Sequence, residues 1–429
     1  MASSKQTSTA LSAVSEPPAP GGGMRRWLHA LLTRYPRVLL LASIPLLAVS
    51  VWYVLSPALF RGENGEIYLR GDFEVYRWAV HTWLSGGNVV ENWAPLRGGN
   101  LLPWVYPPFA LLPLSVFALP PVAVGVLLLW AANLAAMGMT LYLVVRHQWP
   151  GVGPRGALAV AALALPLPLW LEPVYACFSQ GQVNLVLMGL VAADCLVRNP
   201  RWPRGLLVGI AAATKLMPAA FLLFFLLRRD FRAAVTCAVT GVVCTLLGFL
   251  VDFEASVDYW FRYGPASSVA GHAADTNQSI MGALARLDPQ PVVQHGIWAG
   301  VSLVLVLVLA RTIGRVDPPV AMTLTGLFAL LVSPTTWTSH WVWVVPGLLI
   351  LLGAAVRYRS ITRLALVVLI VIAGRKIPFR VLANENVPPL LWLPQQLVGN
   401  AYVVLAVALL LLTGWHASRS RASEPVLKS

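Results

Sequence analysis

The chain of 429 residues is 58% hydrophobic and only 11% charged, with a mean hydropathy of +0.71. A soluble globular domain carries about 25% charged side chains, so a soluble fold is excluded and a membrane protein is required. The net charge of +14, from 31 Lys+Arg against 17 Asp+Glu, invites a nucleic-acid reading. That reading needs a basic face or run, and here the basic residues are dispersed between apolar stretches, so no nucleic-acid partner is expected and the excess reads as a topology signal.

Residues 1–24 are rich in Ser, Ala, Pro and Gly and carry only Lys5 and Glu16 as charges, which predicts a disordered cytoplasmic tail. The apolar run from Val38 to about Phe60 is longer than a signal-peptide core and lacks a small-residue cleavage site, so it is read as a retained first transmembrane helix. Arg25, Arg26, Arg34 and Arg37 precede it and place its start inside. Further apolar runs begin near Pro121, Gly156, Gly181, Gly205, Pro218, Ala233, Gly296, Pro318, Trp341, Ile361 and Leu397. The prediction is an all-α polytopic membrane protein with about 12 transmembrane helices over residues 25–416 and a cytoplasmic C-terminal tail at 417–429.

Residues 205–227 carry Lys215 and Pro218 centrally and read as one kinked helix or two short ones. Two short ones fit the charges better. All the remaining basic clusters then fall inside: Arg146/Arg155, Arg198/Arg201/Arg204, Arg228/Arg229/Arg232, Arg311/Arg315, Arg357/Arg359/Arg363 and Arg419/Arg421/Lys428. Both termini are expected in the cytoplasm and the protein in the plasma membrane. Tyr106 to Leu119 is apolar but proline-rich, and reads as a re-entrant or interfacial piece. Cys177, Cys195, Cys237 and Cys244 give neither a disulfide framework nor a zinc spacing and are expected to pack.

Two long outer segments, 61–105 and 252–295, gather polar residues on one side, together with shorter ones near Ser179, Ser333 and 375–394. Polar groups concentrated in loops suit an enzyme with an outward-facing site better than a transporter, whose working groups lie at mid-depth on broken helices. In Asp72-Phe73-Glu74-Val75-Tyr76-Arg77-Trp78 the apolar residues recur at helical spacing, which predicts an amphipathic surface helix. Asp72 is either its N-cap or first-turn acid or a working carboxylate. His340, in Ser333 to Trp341, reads as an interfacial hydrogen-bonding residue or a catalytic one. The amides of Gln180, Gln182 and Asn184 suit sugar hydroxyls as well as helix capping. Lys215 within an apolar helix costs roughly 2.5 to 3.5 kcal/mol on insertion scales and marks a functional position unless it snorkels. Arg375 and Lys376 fall on the outer side, against the general bias, and make a second small basic site suited to phosphate.

Asp72-Phe73-x-Val75-Tyr76, Tyr106-Pro107-Pro108, Gly181-Gln182-x-Asn184, Lys215-x-x-Pro218 and Ser339-His340 together resemble the polyprenol-phosphate-mannose-dependent mannosyltransferases of actinobacteria, integral-membrane glycosyltransferases of the GT-C type. Within that group the chain most resembles the α-1,2-mannosyltransferases of phosphatidylinositol mannoside synthesis. The resemblance runs from about Arg25 to Trp415. It implies a polyprenyl-phosphate-mannose donor, a phosphatidylinositol mannoside acceptor, Asp72 as the base and His340 as the family's late histidine. Lys215, Arg375 and Lys376 are then expected at the donor phosphate, and Glu74, Tyr76, Arg77, Tyr106, Gln180, Gln182, Asn184 and Trp337 at the substrates.

The chemistry is coherent on its own terms. A lipid phosphate is a good leaving group, so one base and cations for the departing phosphate suffice, without the second carboxylate of a glycosidase. Asp72, Glu74 and His340 are acceptable metal ligands, but their spacing matches no metal motif, and no metal or cofactor is expected. No glycine-rich nucleotide loop accompanies an α/β pattern, which argues against a nucleotide-sugar donor. A lipid-modifying enzyme with another donor or acceptor, and a lipid or sugar transporter, are the competing readings.

Overall fold

The computed structural model describes residues 34–59, 71–265, 273–382 and 389–422. An apolar helix α1 (Pro36–Leu59) leads to the short α2 (Asp72–Leu84), an antiparallel hairpin of β1 (Trp93–Pro95) and β2 (Leu101–Pro103), and the short apolar α3 (Leu111–Ala118). Next come α4 (Val122–Gln148), α5 (Gly153–Ala164), α6 (Glu172–Gln180), α7 (Asn184–Leu196), α8 (Leu206–Thr214), α9 (Phe221–Leu227) and α10 (Phe231–Val251). Two small outer helices, α11 (Phe253–Val257) and α12 (Ile280–Ala285), precede α13 (Pro291–Thr312), α14 (Pro318–Val332), α15 (Val344–Tyr358) and α16 (Ile361–Ala373). The chain closes with α17 (Ile377–Leu382), α18 (Trp392–Gly399) and α19 (Ala401–Ala422). The predicted tail at 1–24 lies outside the described residues. At the other end α19 runs past the predicted boundary at 417, and 423–429 lie outside the described residues.

This is an all-α polytopic membrane protein, but the count of about twelve crossings is not confirmed. Among the described residues seven helical stretches are long and apolar enough to cross, or eight if the pair α6 and α7, bent by 115°, is one broken span. Every predicted run does begin or contain a helix. Several are too short: α7 and α16 have 13 residues each, about 20 Å against a hydrocarbon core of about 30 Å. The stretch from Gly205 to Leu227 is two pieces, because Lys215 takes an extended backbone (φ −150°, ψ 130°) between α8 and the turn of 3-10 helix at Met217–Ala220. The proline-rich stretch before α4 is a short helical piece, Pro108–Ala118, as its prolines predict.

Helix starts follow local chemistry. The helices α13 and α14 open on proline at the first turn, where the missing N–H would have no partner anyway. In α2 the buried residues Phe73, Val75, Tyr76, Ala79 and Val80 make the predicted apolar face. Its N-cap is Gly71 rather than Asp72, which is a first-turn acid. The four cysteines are free and buried, as packing residues. Where helices press closest a small residue is needed: a Cβ on Gly326 of α14 would lie 2.4 Å from the Trp343 indole.

The outer segments are tied to the bundle by buried polar groups. Asp258, fully buried, accepts from Asn88 Nδ2 at 2.6 Å and from Arg262 Nη1 at 2.6 Å, and Trp83 Nε1 donates to the Val251 carbonyl at 2.9 Å. Asn277 Oδ1 accepts from the Thr336 amide at 2.9 Å, while Gln278 Nε2 donates to the Gly399 carbonyl at 2.9 Å. Asn277, Gln278 and Ser279 are wholly buried, so this glycosylation-like tripeptide is an internal clamp.

At the other end of α7, Asp194 is fully buried and accepts from Trp202 Nε1 (3.0 Å), Gly205 N (2.9 Å) and Val208 N (3.0 Å), which caps α8 and fixes the turn between the two helices. Gly205 has φ +100° and a Cβ there would lie 2.1 Å from the Ala233 carbonyl oxygen, so the turn requires glycine. Replacing Asp194 with Ala orphans three donors at about 1–3 kcal/mol each. The expected result is a clear fall in the thermal unfolding midpoint of the detergent-solubilised protein, with a smaller fall for Asp194→Asn, which keeps one acceptor.

Candidate active site

The polar centre is assembled from five places in the chain that the two helix breaks bring together. Glycine at 181 (φ +73°) ends α6, and the reversal at 181–183 turns Gln182 and Asn184 inward. The break after Thr214 frees Lys215. The 3-10 segment Thr338–Trp343 supplies His340, α2 supplies Asp72 and Tyr76, and the loop before α3 supplies Tyr106.

Lys215 organises the contacts. Its Nζ donates to Asn184 Oδ1 at 2.9 Å and lies 3.0 Å from His340 Nε2. Tyr106 Oη and Gln182 Oε1 complete its surroundings at 3.3 and 3.5 Å. An ammonium has only donors, so the facing His340 Nε2 must accept, which puts the ring proton on Nδ1. That Nδ1 and the neighbouring Ser339 Oγ are buried and have no partner among the described residues. Asn184 is itself held by donating to the Ser339 carbonyl at 2.8 Å.

A chain of hydroxyls joins the cation to α2. Tyr76 Oη and Tyr106 Oη are 2.7 Å apart, and each can reach Gln182 Oε1, at 3.3 and 3.2 Å. The Gln182 side chain also helps to keep the Asp72 carboxylate ionised, so one amide acts on base, tyrosines and cation. The helix α2 is not among the membrane spans, and Asp72 is partly buried beneath the outer segments. Burial raises the Asp72 carboxyl above its ordinary value of 3.8, while the Lys215 charge and the Gln182 hydrogen bond oppose the rise.

Asp72, Tyr76, Tyr106, Gln182, Asn184, Lys215 and His340 therefore share one cluster. The other expected site residues stand outside it. Arg77 Nη1 donates to the carbonyls of Ala118 and Pro120 at 2.5 and 2.6 Å and fastens α2 to the end of α3. Glu74 Oε1 accepts from the Arg97 amide at 3.5 Å, holding α2 to the hairpin. Gln180 is exposed beside Gly71. Trp337 pairs through its backbone with Asn277. Arg375 Nη1 donates to the Trp170 carbonyl at 2.8 Å, and Lys376 Nζ lies 4.7 Å from the Tyr175 ring centre, so neither touches Lys215. Among the described residues no three of His, Cys, Asp and Glu gather as metal ligands.

One residue that the sequence reading passed over holds the site in place. Asn133, wholly buried in α4, donates from Nδ2 to the Gln182 carbonyl at 2.9 Å and accepts on Oδ1 from the Val186 amide at 3.2 Å. Trp130, one turn earlier, donates to the Phe178 carbonyl at 3.1 Å. Both ends of the 178–186 reversal thus hang on one face of α4. A lone amide in the middle of an apolar span was the available signal, since such residues bond across helices.

A multi-pass membrane fold with a half-buried carboxylate, a cation and amides at a helix break defines the site of an integral-membrane enzyme acting on a polar group. The chain belongs to glycosyltransferase family 87, whose sequence profile matches residues 104–334, a stretch that includes Tyr106, Gln182, Asn184 and Lys215. It is a glycosyltransferase, which displaces the transporter reading. It is 36% identical over 378 residues, 82% of this chain and 86% of the relative, to the polyprenol-phosphate-mannose-dependent alpha-(1-2)-phosphatidylinositol mannoside mannosyltransferase of Mycobacterium tuberculosis. The same figures hold for the enzyme of that name from Mycolicibacterium smegmatis. It is also 34% identical over 333 residues, 75% of this chain and 77% of the relative, to the corresponding pentamannoside mannosyltransferase of Mycolicibacterium smegmatis. No solved structure matches the chain.

The contacts of Asn133 give an expectation for transfer activity. Asn133→Leu releases the 182–186 reversal and strands a buried carbonyl and amide, at about 1–3 kcal/mol each. Sugar transfer is expected to fall roughly tenfold or more in kcat, with donor and acceptor KM less affected, in steady-state assays of the purified protein.

Proposed function

We propose that this protein transfers mannose from polyprenyl-phosphate-mannose to a hydroxyl of a phosphatidylinositol mannoside, forming an α-1,2 linkage. The observation that carries the reading is the convergence of Asp72, Gln182, Lys215 and His340 on one point, in a chain whose relatives carry that activity in their names. The two kinds of relative differ in acceptor. The mannoside enzymes are the more similar and the more fully covered, so an acceptor short of the pentamannoside is preferred.

In the proposed reaction Asp72 takes the proton from the acceptor hydroxyl as its oxygen attacks the anomeric carbon of mannose. The bond from that carbon to the phosphate oxygen breaks, and polyprenyl phosphate leaves. Attack opposite a β-linked phosphate gives the α product in one step. Charge growing on the phosphate is met by Lys215, and the Nδ1–H of His340 is a free donor for a phosphate oxygen. Tyr106, Gln182 and Asn184 hold Lys215 for this task. Arg375 and Lys376 take no part in it, since they stand apart from Lys215.

The sidedness follows from charge. The Arg clusters after α4, α7, α9, α13, α15 and α19 read as cytoplasmic, which puts both termini inside and Asp72 with its cluster toward the outer face of the plasma membrane, where lipid-linked mannose serves in place of nucleotide sugars.

Two outcomes are expected. With radiolabelled polyprenyl-phosphate-mannose and a phosphatidylinositol tetramannoside, wild type forms labelled glycolipid and Asp72→Asn lowers kcat by about 10²–10⁴-fold; wild-type turnover in that variant removes Asp72 as the base, and no product from wild type removes the reading. Because the base must be ionised, kcat/KM falls as pH drops through the raised Asp72 value, so the acid limb lies above pH 3.8. Lys215→Met removes a charge that lowers that value, so its residual activity has an acid limb at higher pH than wild type.

A further inference from the structure

On another side of the Thr338–Trp343 segment lies a second set of polar groups that the reaction does not use. Glu172 opens α6, is nine-tenths buried, and accepts from Thr338 Oγ1 at 3.1 Å through Oε1, while its Oε2 has no partner among the described residues. Tyr402 Oη and Trp341 Nε1 are likewise buried without partners, with their rings 5.3 Å apart. Glu172 is followed directly by Pro173, and Pro173, Trp341 and Tyr402 line one cavity. One acceptor and two potential donors, all buried and all unfilled, form a built polar head.

Beside that head runs an apolar slot, with a cavity volume of about 100 Å³, between α14, α15, α16 and α19. Pro173, Trp341, Gly374 and Tyr402 line its polar end, and Leu324, Gly347, Leu351, Ala373 and Leu409 are among its walls. Tyr402 and Thr413 both line it, eleven residues apart on α19, so it extends about 16 Å along the helices, half the hydrocarbon core. A hydrocarbon chain fits such a slot, and a hydroxyl-bearing head fits the three open groups.

Which lipid it takes follows from the bonds of the proposed reaction, on which this inference rests. The donor's phosphate is bonded directly to the reacting carbon and must lie by Lys215 and His340. The acceptor's phosphate and acyl chains are separated from its reacting hydroxyl by several sugar rings, and need an anchor away from Asp72. The slot answers to the second need: Thr338, which holds Glu172, and His340, which meets Lys215, are two residues apart on a 3-10 turn and so point about 120° apart. The smaller chamber beside Lys215 shares only Trp343 with the slot. We propose that the slot headed by Glu172, Trp341 and Tyr402 holds the lipid anchor of the acceptor, an acyl chain within it and the polyol of the head group on those three residues, with Lys376 at the rim for the phosphate.

The test uses the full-length protein in lipid nanodiscs and two substitutions. Gly347→Leu fills the slot without striking backbone, since its Cβ meets only Thr323 Cγ2 at 3.5 Å, and Glu172→Gln alters the head. Each is expected to raise the acceptor KM about tenfold, leaving donor KM and the kcat at saturating acceptor within about twofold. Fluorescent phosphatidylinositol, which has the anchor and no mannose, is expected to bind wild type and bind both variants about tenfold more weakly, without displacement by polyprenyl phosphate. A raised donor KM, or displacement by polyprenyl phosphate, would give the slot to the donor and overturn the proposal. Unchanged acceptor KM in both variants, or a fall in kcat alone, would overturn it while wild-type transfer upholds the reaction. Wild-type protein that forms no mannolipid overturns the reaction and this inference with it.

Discussion

A lysine ammonium within a membrane protein has to find acceptors, because no water is guaranteed at that depth and an unpaired charge there is costly. Lys215 meets this demand with an amide from each of Gln182 and Asn184, the Tyr106 hydroxyl and the unprotonated nitrogen of His340. None of these lies on its own helix. The helix must open at Lys215 to let the side chain turn to them, α6 must stop at Gly181 to present two amides, and the segment after α14 must remain 3-10 to point His340 inward. The breaks at Gly181 and Lys215, which shorten the predicted runs from Gly181, Gly205 and Pro218, are the breaks that satisfy one cation.

The same demand explains the elements around the centre. A reversal such as 181–183 exposes backbone groups in the middle of a bundle, and α4 answers with Asn133 and Trp130. Tyr106 has to arrive from outside the bundle, so the outer segments cannot be loose. Arg77 fastens α2 to the end of α3, Asp258 joins Asn88 to the turn just after α11, and the clamp at Asn277 and Gln278 braces the residues just before Thr338. Among the described residues, buried polar atoms of Glu172, Ser339, His340, Trp341 and Tyr402 that have no hydrogen-bond partner lie on or beside the single segment that faces both the reaction centre and the slot.

Much of this was legible in the sequence where a residue was out of keeping with its surroundings. Lys215 in an apolar run, three amides near a glycine and an acid opening an amphipathic helix were visible as exceptions, and all but Gln180 are residues the fold gathers. Arg375 and Lys376 were exceptions too, yet they lie elsewhere, because charge alone tells the side of the membrane and not the distance to a particular partner. Arg77 and Glu74 stood in the richest motif but serve to fasten α2, since adjacent residues on a helix face different ways. Asn133 and Glu172 were missed for the opposite reason: each is one polar residue in an apolar neighbourhood, and its partners are backbone groups or distant side chains that no local pattern reveals. The span count is the part that length leaves unconfirmed, because hydropathy counts apolar residues and does not see where a helix is interrupted.

The placing of Gln182 bears on the chemistry itself. Among the described residues no direct ion pair joins Asp72 to Lys215. Such a pair would hold the carboxylate ionised at the expense of its basicity and would occupy the cation before any phosphate arrived. The Gln182 amide stands by both charges, its carbonyl accepting from the ammonium at 3.5 Å and its side chain helping to hold the carboxylate ionised. Neither is neutralised, and each retains a side open to a substrate. In the proposed transfer the proton leaves the acceptor toward one charge while the phosphate departs toward the other, so a neutral group between them is what allows a single carboxylate and a single cation to act on opposite ends of the same reacting carbon.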